Sequence, residues 1–185
     1  DYIGSRYAIA VSSGTAALHL SLLAIGITEG DEVIVPSFSF IATANAIVYC
    51  RATPVFIDID LQTYNINPEK IEEYICNAIK KKNKSIKAIM PVHQLGMPAD
   101  MDNITAIAKK YNLPVIEDAA CALGSEYKGR KVGNIGEIGC FSFHPRKIIT
   151  TGEGGMITTN NKEVAEKVRL LRNHGMTISA DKRRK

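Results

Sequence analysis

The sequence predicts an α/β protein, a three-layer αβα sandwich built round a mostly parallel sheet. Two observations carry this. Short apolar runs rich in valine and isoleucine alternate with segments of helical spacing along nearly the whole chain, which implies right-handed crossovers and helices on both faces of one sheet. The residues with chemistry to offer also follow the apolar runs, at Ser13–Thr15, Ser37–Phe40, Asp58, His93, Asp118, Ser142 and Lys147. Such a sheet gathers positions of that kind along one edge, where ligands bind.

Taken in order, Tyr7 to Val11 reads as a strand. Ser12-Ser13-Gly14-Thr15 leads into AALHLSLLAIG, a helix that Gly26 stops. Asp31 to Val35 is a second strand closed by Pro36-Ser37, and a small-residue helix follows from Ile41 to Tyr49. Phe38 and Phe40, at a strand's carboxyl end, suit core packing or a flat face for an aromatic ligand. Thr53 to Ile59 is the third strand, and Pro68 opens an amphipathic helix ending in Lys80-Lys81-Lys82. Ile86 to Val92 is the fourth strand, running into His93-Gln94, and a helix spans Asp100 to Tyr111. Pro114 to Ile116 is the fifth strand, with Glu117-Asp118 at its carboxyl end. Gly124 to Gly136 suits a loop or hairpin. A sixth strand carries Ser142, Gly155 to Thr159 pairs back against it, and Asn160 starts the last helix.

The 185 residues suit one domain. Hydrophobic residues make up 45% and charged residues 23%, as in an ordinary globular protein. The net charge of +4 is dominated by the tail Asp181–Lys185, which is expected to be solvated, so the basic balance does not point to nucleic acid. No apolar run is long enough to span a bilayer. Cys50, Cys76, Cys121 and Cys140 are irregularly spaced without a C-x-x-C pair, and the histidines are scattered. That pattern argues against a zinc site or a disulfide framework, and it fits a reducing cytoplasm.

The stretch GCFSFHPRKIITTGEGG, residues 139 to 155, places Lys147 between an apolar strand and a glycine-rich turn. Partial burial there would lower the amine's pKa and make it a nucleophile for Schiff-base chemistry. Pyridoxal 5'-phosphate asks a protein for such a lysine, a carboxylate for its pyridine nitrogen, an anion site and a flat face. Lys147 fits the first and Asp118 the second. Ser13, Gly14, Thr15 and Ser142 fit the anion site, where a helix start offers free N–H groups, although a plain Ser/Thr helix cap would use the same residues. Phe40 fits the face.

The motifs SSGTAALHL, PSFSFIATANAI, PVFIDID, PVHQLGMPADM, VIEDAACALGSEYKGRKVG, CFSFHPRKIITTGEGGMI and RNHG occur in this order over nearly the whole chain. On these residues the chain resembles the DegT/DnrJ/EryC/StrS sugar aminotransferases, within the fold-type I pyridoxal phosphate enzymes. The resemblance implies transfer of an amino group, usually from glutamate, to a keto group on a nucleotide-linked sugar, by a homodimer. Carried over by position, Lys147 would attach the cofactor and move protons, Asp118 would pair with the pyridine nitrogen, and Phe40 would stack on the ring. Gly14 and Thr15, with Ser13 and Ser142, would hold the phosphate. Cys121 stands near the cofactor, where the family usually has glutamine or histidine. Family members carry a segment before this region and a smaller domain after it. Residues 1–185 are therefore expected to be the large cofactor-binding domain of a longer protein. The rival readings are a sugar dehydratase of the same family, in which histidine replaces the lysine, and a non-catalytic regulatory or binding relative.

Overall fold

The computed structural model describes residues 2–83 and 85–176, so the basic tail at 181–185 lies outside the described residues. The strands are β1 (Tyr7–Val11), β2 (Glu32–Pro36), β3 (Thr53–Ile57), β4 (Ile86–Ile89), β5 (Ile116–Asp118), β6 (Glu126–Tyr127), β7 (Arg130–Lys131), β8 (Ile138–Ser142) and β9 (Gly155–Thr159). The α-helices are α1 (Gly14–Ala24), α2 (Ile41–Tyr49), α3 (Pro68–Lys80), α4 (Met101–Tyr111) and α5 (Lys162–Leu171).

Two ladders, β3-β2-β4 and β5-β8-β9-β1, are joined by parallel bridges from Ile89 to Val115 and from Val92 to Asp118. The result is one sheet of order β3-β2-β4-β5-β8-β9-β1. Within it β9 runs against both its neighbours, while the other described pairings are parallel. Because β1 and β8 both oppose β9, they share a direction, and the carboxyl end of β1 comes to the same edge as that of β8. Pro54 sits within β3, at the sheet's margin, where its missing N–H leaves no ladder bond unmade.

Each face of the sheet has its own core. Residues of α1, α2 and α5 pack with Val33, Val35, Ile116, Ile138, Cys140 and Ile157 on one side. Residues of α3 and α4 pack with Ile34, Ile57, Ile89 and Val115 on the other. Successive strand residues point to opposite faces, so Val33, Ile34 and Val35 feed the two cores alternately. Helix α1 is apolar nearly all round and lies against α2, α5, β8 and β9, as suits a helix enclosed in the layer. It ends where expected. Gly26 has φ of +89°, its N–H donates to the Leu23 carbonyl, and the Ile27 N–H reaches Leu22, which closes the last turn.

Several boundaries differ from expectation. The fifth strand includes Glu117 and Asp118, both buried, because each carboxylate finds hydrogen-bond donors that strand propensity does not register. The second strand runs one residue later, to Pro36, and the third and fourth stop at Ile57 and Ile89. The last helix begins at Lys162, capped by Asn161, whose side chain accepts from the N–H groups of Glu163 and Val164. The 124–136 segment contains the β6–β7 hairpin, turned at Lys128 and Gly129, both with positive φ.

Candidate active site

The carboxyl ends of β1, β5 and β8 and the start of α2 enclose a cleft of about 650 Å³. Ser13, Gly14, Thr15, Phe40, Asp118, Cys121, Ser142 and Lys147 all line it. Asp58 does not, and neither does His93, which is fully buried and turned away.

At one wall α1 begins. Ser13 is its N-cap, and the Ser13 Oγ accepts from the Ala16 N–H at 3.0 Å. The expected use of the Ser13 oxygen on a ligand is thus shared with capping. Gly14 is buried against β8, and a Cβ placed there would lie 2.7 Å from Ser142 Cβ and 3.1 Å from its Oγ. Only a glycine allows the helix start to come this close. The N–H groups of Gly14 and Thr15 have no partner among the described residues. Two free donors at a helix N-terminus beside two hydroxyls are chemically suited to an anion.

Asp118, 4% exposed, comes from the end of β5. Its Oδ1 accepts from the Ala120 N–H at 3.1 Å and its Oδ2 from Thr43 Oγ1 at 2.8 Å. Thr43 in turn lies 2.7 Å from Ser39 Oγ. Burial pushes the Asp118 carboxyl above the usual range, opposed by Thr43, the Ala120 N–H and the neighbouring His93 and Lys147. Such a carboxylate is short of positive charge and suited to a cationic N–H donor.

Behind it, Glu117 is fully buried. Its Oε2 lies 2.9 Å from His93 Nε2 and accepts from the Gly133 N–H at 2.7 Å. Its Oε1 accepts from the N–H groups of Ile135 and Gly136, each at 2.7 Å. The His93 Nδ1 accepts from the Ala99 N–H at 3.0 Å, which places the ring proton on Nε2, toward Glu117. Burial alone would raise the Glu117 pKa, but the His93 ring and the N–H donors hold it below the usual range. His93 and Glu117 thus brace the strand that carries Asp118, and the His93 N–H donates to the Asp118 carbonyl.

Lys147 is half-buried in the loop between β8 and β9. The Phe143 carbonyl accepts from the Thr151 N–H and the Thr150 hydroxyl, so the two threonines of the TTG run fix the loop. The Lys147 amine donates to Cys121 Sγ at 3.1 Å. The neighbouring Ile148 and Ile149 point outward at 69% and 56% exposure. Phe40 is 70% exposed beside the cleft, and Phe38 packs against Tyr64, so neither phenylalanine belongs to the core. Sequence reasoning missed Thr43. Its place four residues after Ser39, on the helix leaving the cleft, is the signal that could have found it.

The profile of the DegT/DnrJ/EryC1/StrS aminotransferase family matches residues 1–185. The GDP-perosamine synthase of Caulobacter vibrioides is 53% identical over 176 residues, covering 95% of this chain and 46% of that protein. Among solved structures, an aminotransferase of this type from Brucella abortus is 40% identical at a TM-score of 0.93, covering 97% of this chain and 49% of the other. The NtdA protein of Bacillus subtilis, solved with bound cofactor PMP, is 42% identical at a TM-score of 0.82, covering 91% of this chain and 37% of its own. The chain spans about half the length of the curated relatives it matches. With the fold, the sheet-edge cleft and the sequence in agreement, this chain belongs to the DegT/DnrJ/EryC1/StrS aminotransferase family.

Proposed function

We propose that residues 1–185 form the large cofactor-binding domain of a pyridoxal 5'-phosphate-dependent aminotransferase acting on a nucleotide-linked keto-sugar, with glutamate as amino donor. One observation supports this most. A buried carboxylate, a reachable lysine amine and an anion cradle that only glycine permits share one cleft. The donor set fits the cofactor. Gly14 and Thr15, through their N–H groups, and the hydroxyls of Ser13 and Ser142 would hold the phosphate. Asp118 would accept from the protonated ring nitrogen, and Phe40 would offer its exposed face to the ring. Cys121 would lie beside it.

Pyridoxal phosphate, when bound, supplies an electron-withdrawing ring that makes a proton on the amine-bearing carbon acidic. Lys147 would anchor the cofactor and then take up and return that proton at Nζ. Asp118 would keep the ring nitrogen charged, with Thr43 and the Ala120 N–H holding its two oxygens in place. The name of the Caulobacter relative supports the nucleotide-sugar substrate. Exposed Phe40, Ile41, Leu95, Ile148 and Ile149 beside the cleft support a homodimer. No helix among the described residues is long and apolar enough to cross a membrane. A cytoplasmic location follows from the proposed substrate class.

The test is a visible absorption spectrum with added pyridoxal phosphate, followed by borohydride reduction and peptide mapping, beside Lys147→Ala. Cofactor fixed at Lys147, and glutamate-dependent amination of a nucleotide keto-sugar, are the expected results. Absence of cofactor attachment at Lys147 would refute the reading.

A further inference from the structure

The contact between Lys147 Nζ and Cys121 Sγ, at 3.1 Å, joins two nucleophiles in an accessible cleft. Cys121 is exposed, whereas Cys50 and Cys140 are buried and Cys76 is half-buried against the Tyr111 hydroxyl. Turns hold both backbones. The Ala122 N–H donates to Ala119 and the Ser125 N–H to Ala122 on one side, and the Lys147 N–H donates to His144 on the other. Among the described residues lining the cleft, Cys121 is the one cysteine, so no second thiol stands ready to resolve an oxidised sulfur there.

We propose that Cys121 and Lys147 are a modification site at which a hydroperoxide forms a covalent sulfur–nitrogen cross-link. In the first step the Cys121 sulfur attacks the peroxide. An S–O bond forms, the O–O bond breaks, and the other peroxide oxygen leaves with the thiol proton, as water from hydrogen peroxide or as an alcohol from an organic hydroperoxide. Sulfur is thereby oxidised by two electrons and the peroxide is reduced. In the second step the uncharged Lys147 amine attacks the sulfenic sulfur. The S–N bond forms and the S–O bond breaks, and the hydroxyl departs as water with a proton from nitrogen. Sulfenic acids condense in this way with a neighbouring nitrogen when no thiol intervenes. The flexible lysine stem closes the remaining distance. Two equivalents of an added thiol reverse the change: the first displaces the amine and forms a mixed disulfide, and the second releases Cys121 as the thiol. The cross-link occupies the amine proposed above to anchor the cofactor. That consequence rests on the proposed function, while the cross-link itself does not.

The test treats the cofactor-free protein with hydrogen peroxide and reads intact mass and tryptic peptides. The expected product is lighter than the reduced chain by two hydrogens. Its peptides join Cys121 to Lys147, cleavage after Lys147 is lost, and dithiothreitol restores the starting mass. Cys121→Ser and Lys147→Arg must each abolish the joined peptide. The cross-linked fraction should lose borohydride-trapped cofactor in proportion and regain it after dithiothreitol. Peroxide treatment that yields only sulfinic acid on Cys121, or only disulfide-linked chains, would overturn the proposal. A cross-link in a protein that binds no cofactor even when reduced would uphold this site and refute the reading of the function.

Discussion

Replacing Asp118 by asparagine separates what this residue does for folding from what it does in the cleft. The carboxylate is buried and accepts two hydrogen bonds, from Thr43 and from the Ala120 N–H. Asparagine keeps one acceptor for Ala120. Its NH2 group then faces Thr43 Oγ1, and the Thr43 hydroxyl, only 2.7 Å from Ser39 Oγ, reverses and donates to Ser39 instead. No polar atom is stranded. Exchanging two charge-assisted hydrogen bonds for neutral ones costs about 1–3 kcal/mol in total. Removing an ion buried without a cationic partner returns several kcal/mol. Burial already outweighs the opposing groups in setting the direction of the Asp118 pKa. We therefore expect Asp118→Asn to stabilise the cofactor-free protein at neutral pH by on the order of 1 kcal/mol.

The sign with pH follows from the same direction. The folded-state pKa lies above the unfolded one, so between them the folded protein binds more protons. The wild-type contribution is complete below about pH 4 and is lost as pH rises to the folded value. The advantage of asparagine should therefore grow across that window and be full above it. Urea unfolding followed by far-UV circular dichroism, without cofactor and at several pH values, reads both effects. An asparagine variant less stable than wild type by more than about 1 kcal/mol at neutral pH, or a difference that does not change with pH, would show that the buried Asp118 charge is not a net cost to folding. The same variant should bind pyridoxal phosphate more weakly, trading function for stability.

Glu117→Gln should destabilise by about 3–5 kcal/mol in a denaturant titration, because one carbonyl oxygen cannot serve the four donors that now converge on the carboxylate. Since the Glu117 pKa is held low, its contribution is present above the ordinary glutamate value and lost as pH falls through the folded value; melting curves of the wild type should therefore decline steeply in acid. Gly14→Ala forces the helix start off β8, and should cost about 1–3 kcal/mol and raise the dissociation constant for inorganic phosphate, measured by calorimetry. Ser13→Ala removes the cap of α1, at about 1 kcal/mol in a thermal melt, and with it one hydroxyl of the proposed phosphate site, so it should also weaken phosphate binding.

Much of the sheet was legible because its strands are short, apolar and punctuated. The helix start at Ser13–Thr15 was legible for a related reason, since small hydroxylated residues and a glycine between a strand and a helix suit a cap or an anion, and Ser13 does cap α1. The fifth strand was misjudged because two acidic residues read as strand-ending; their four and two donors come from segments as distant as Thr43 and Gly136. His93 stood in line with the cleft residues, yet it is drawn behind the sheet edge by Glu117 and Ala99. A strand pattern states which positions reach the edge, but it does not state which side chains turn toward each other there. Thr43 escaped notice for the same reason.

Periodicity and turn chemistry act over a few residues at a time, and they suffice for the α/β class, the succession of strands and helices, and the positions brought to one edge. The assembled sheet places β1 beside β9, so that a helix starting at residue 14 meets a strand ending at residue 142. It also buries Asp118 on a hydroxyl chain and brings the Lys147 amine onto Cys121. These facts depend on contacts between residues far apart in the chain. Their geometry is set by packing on both faces of the sheet, which local sequence does not encode.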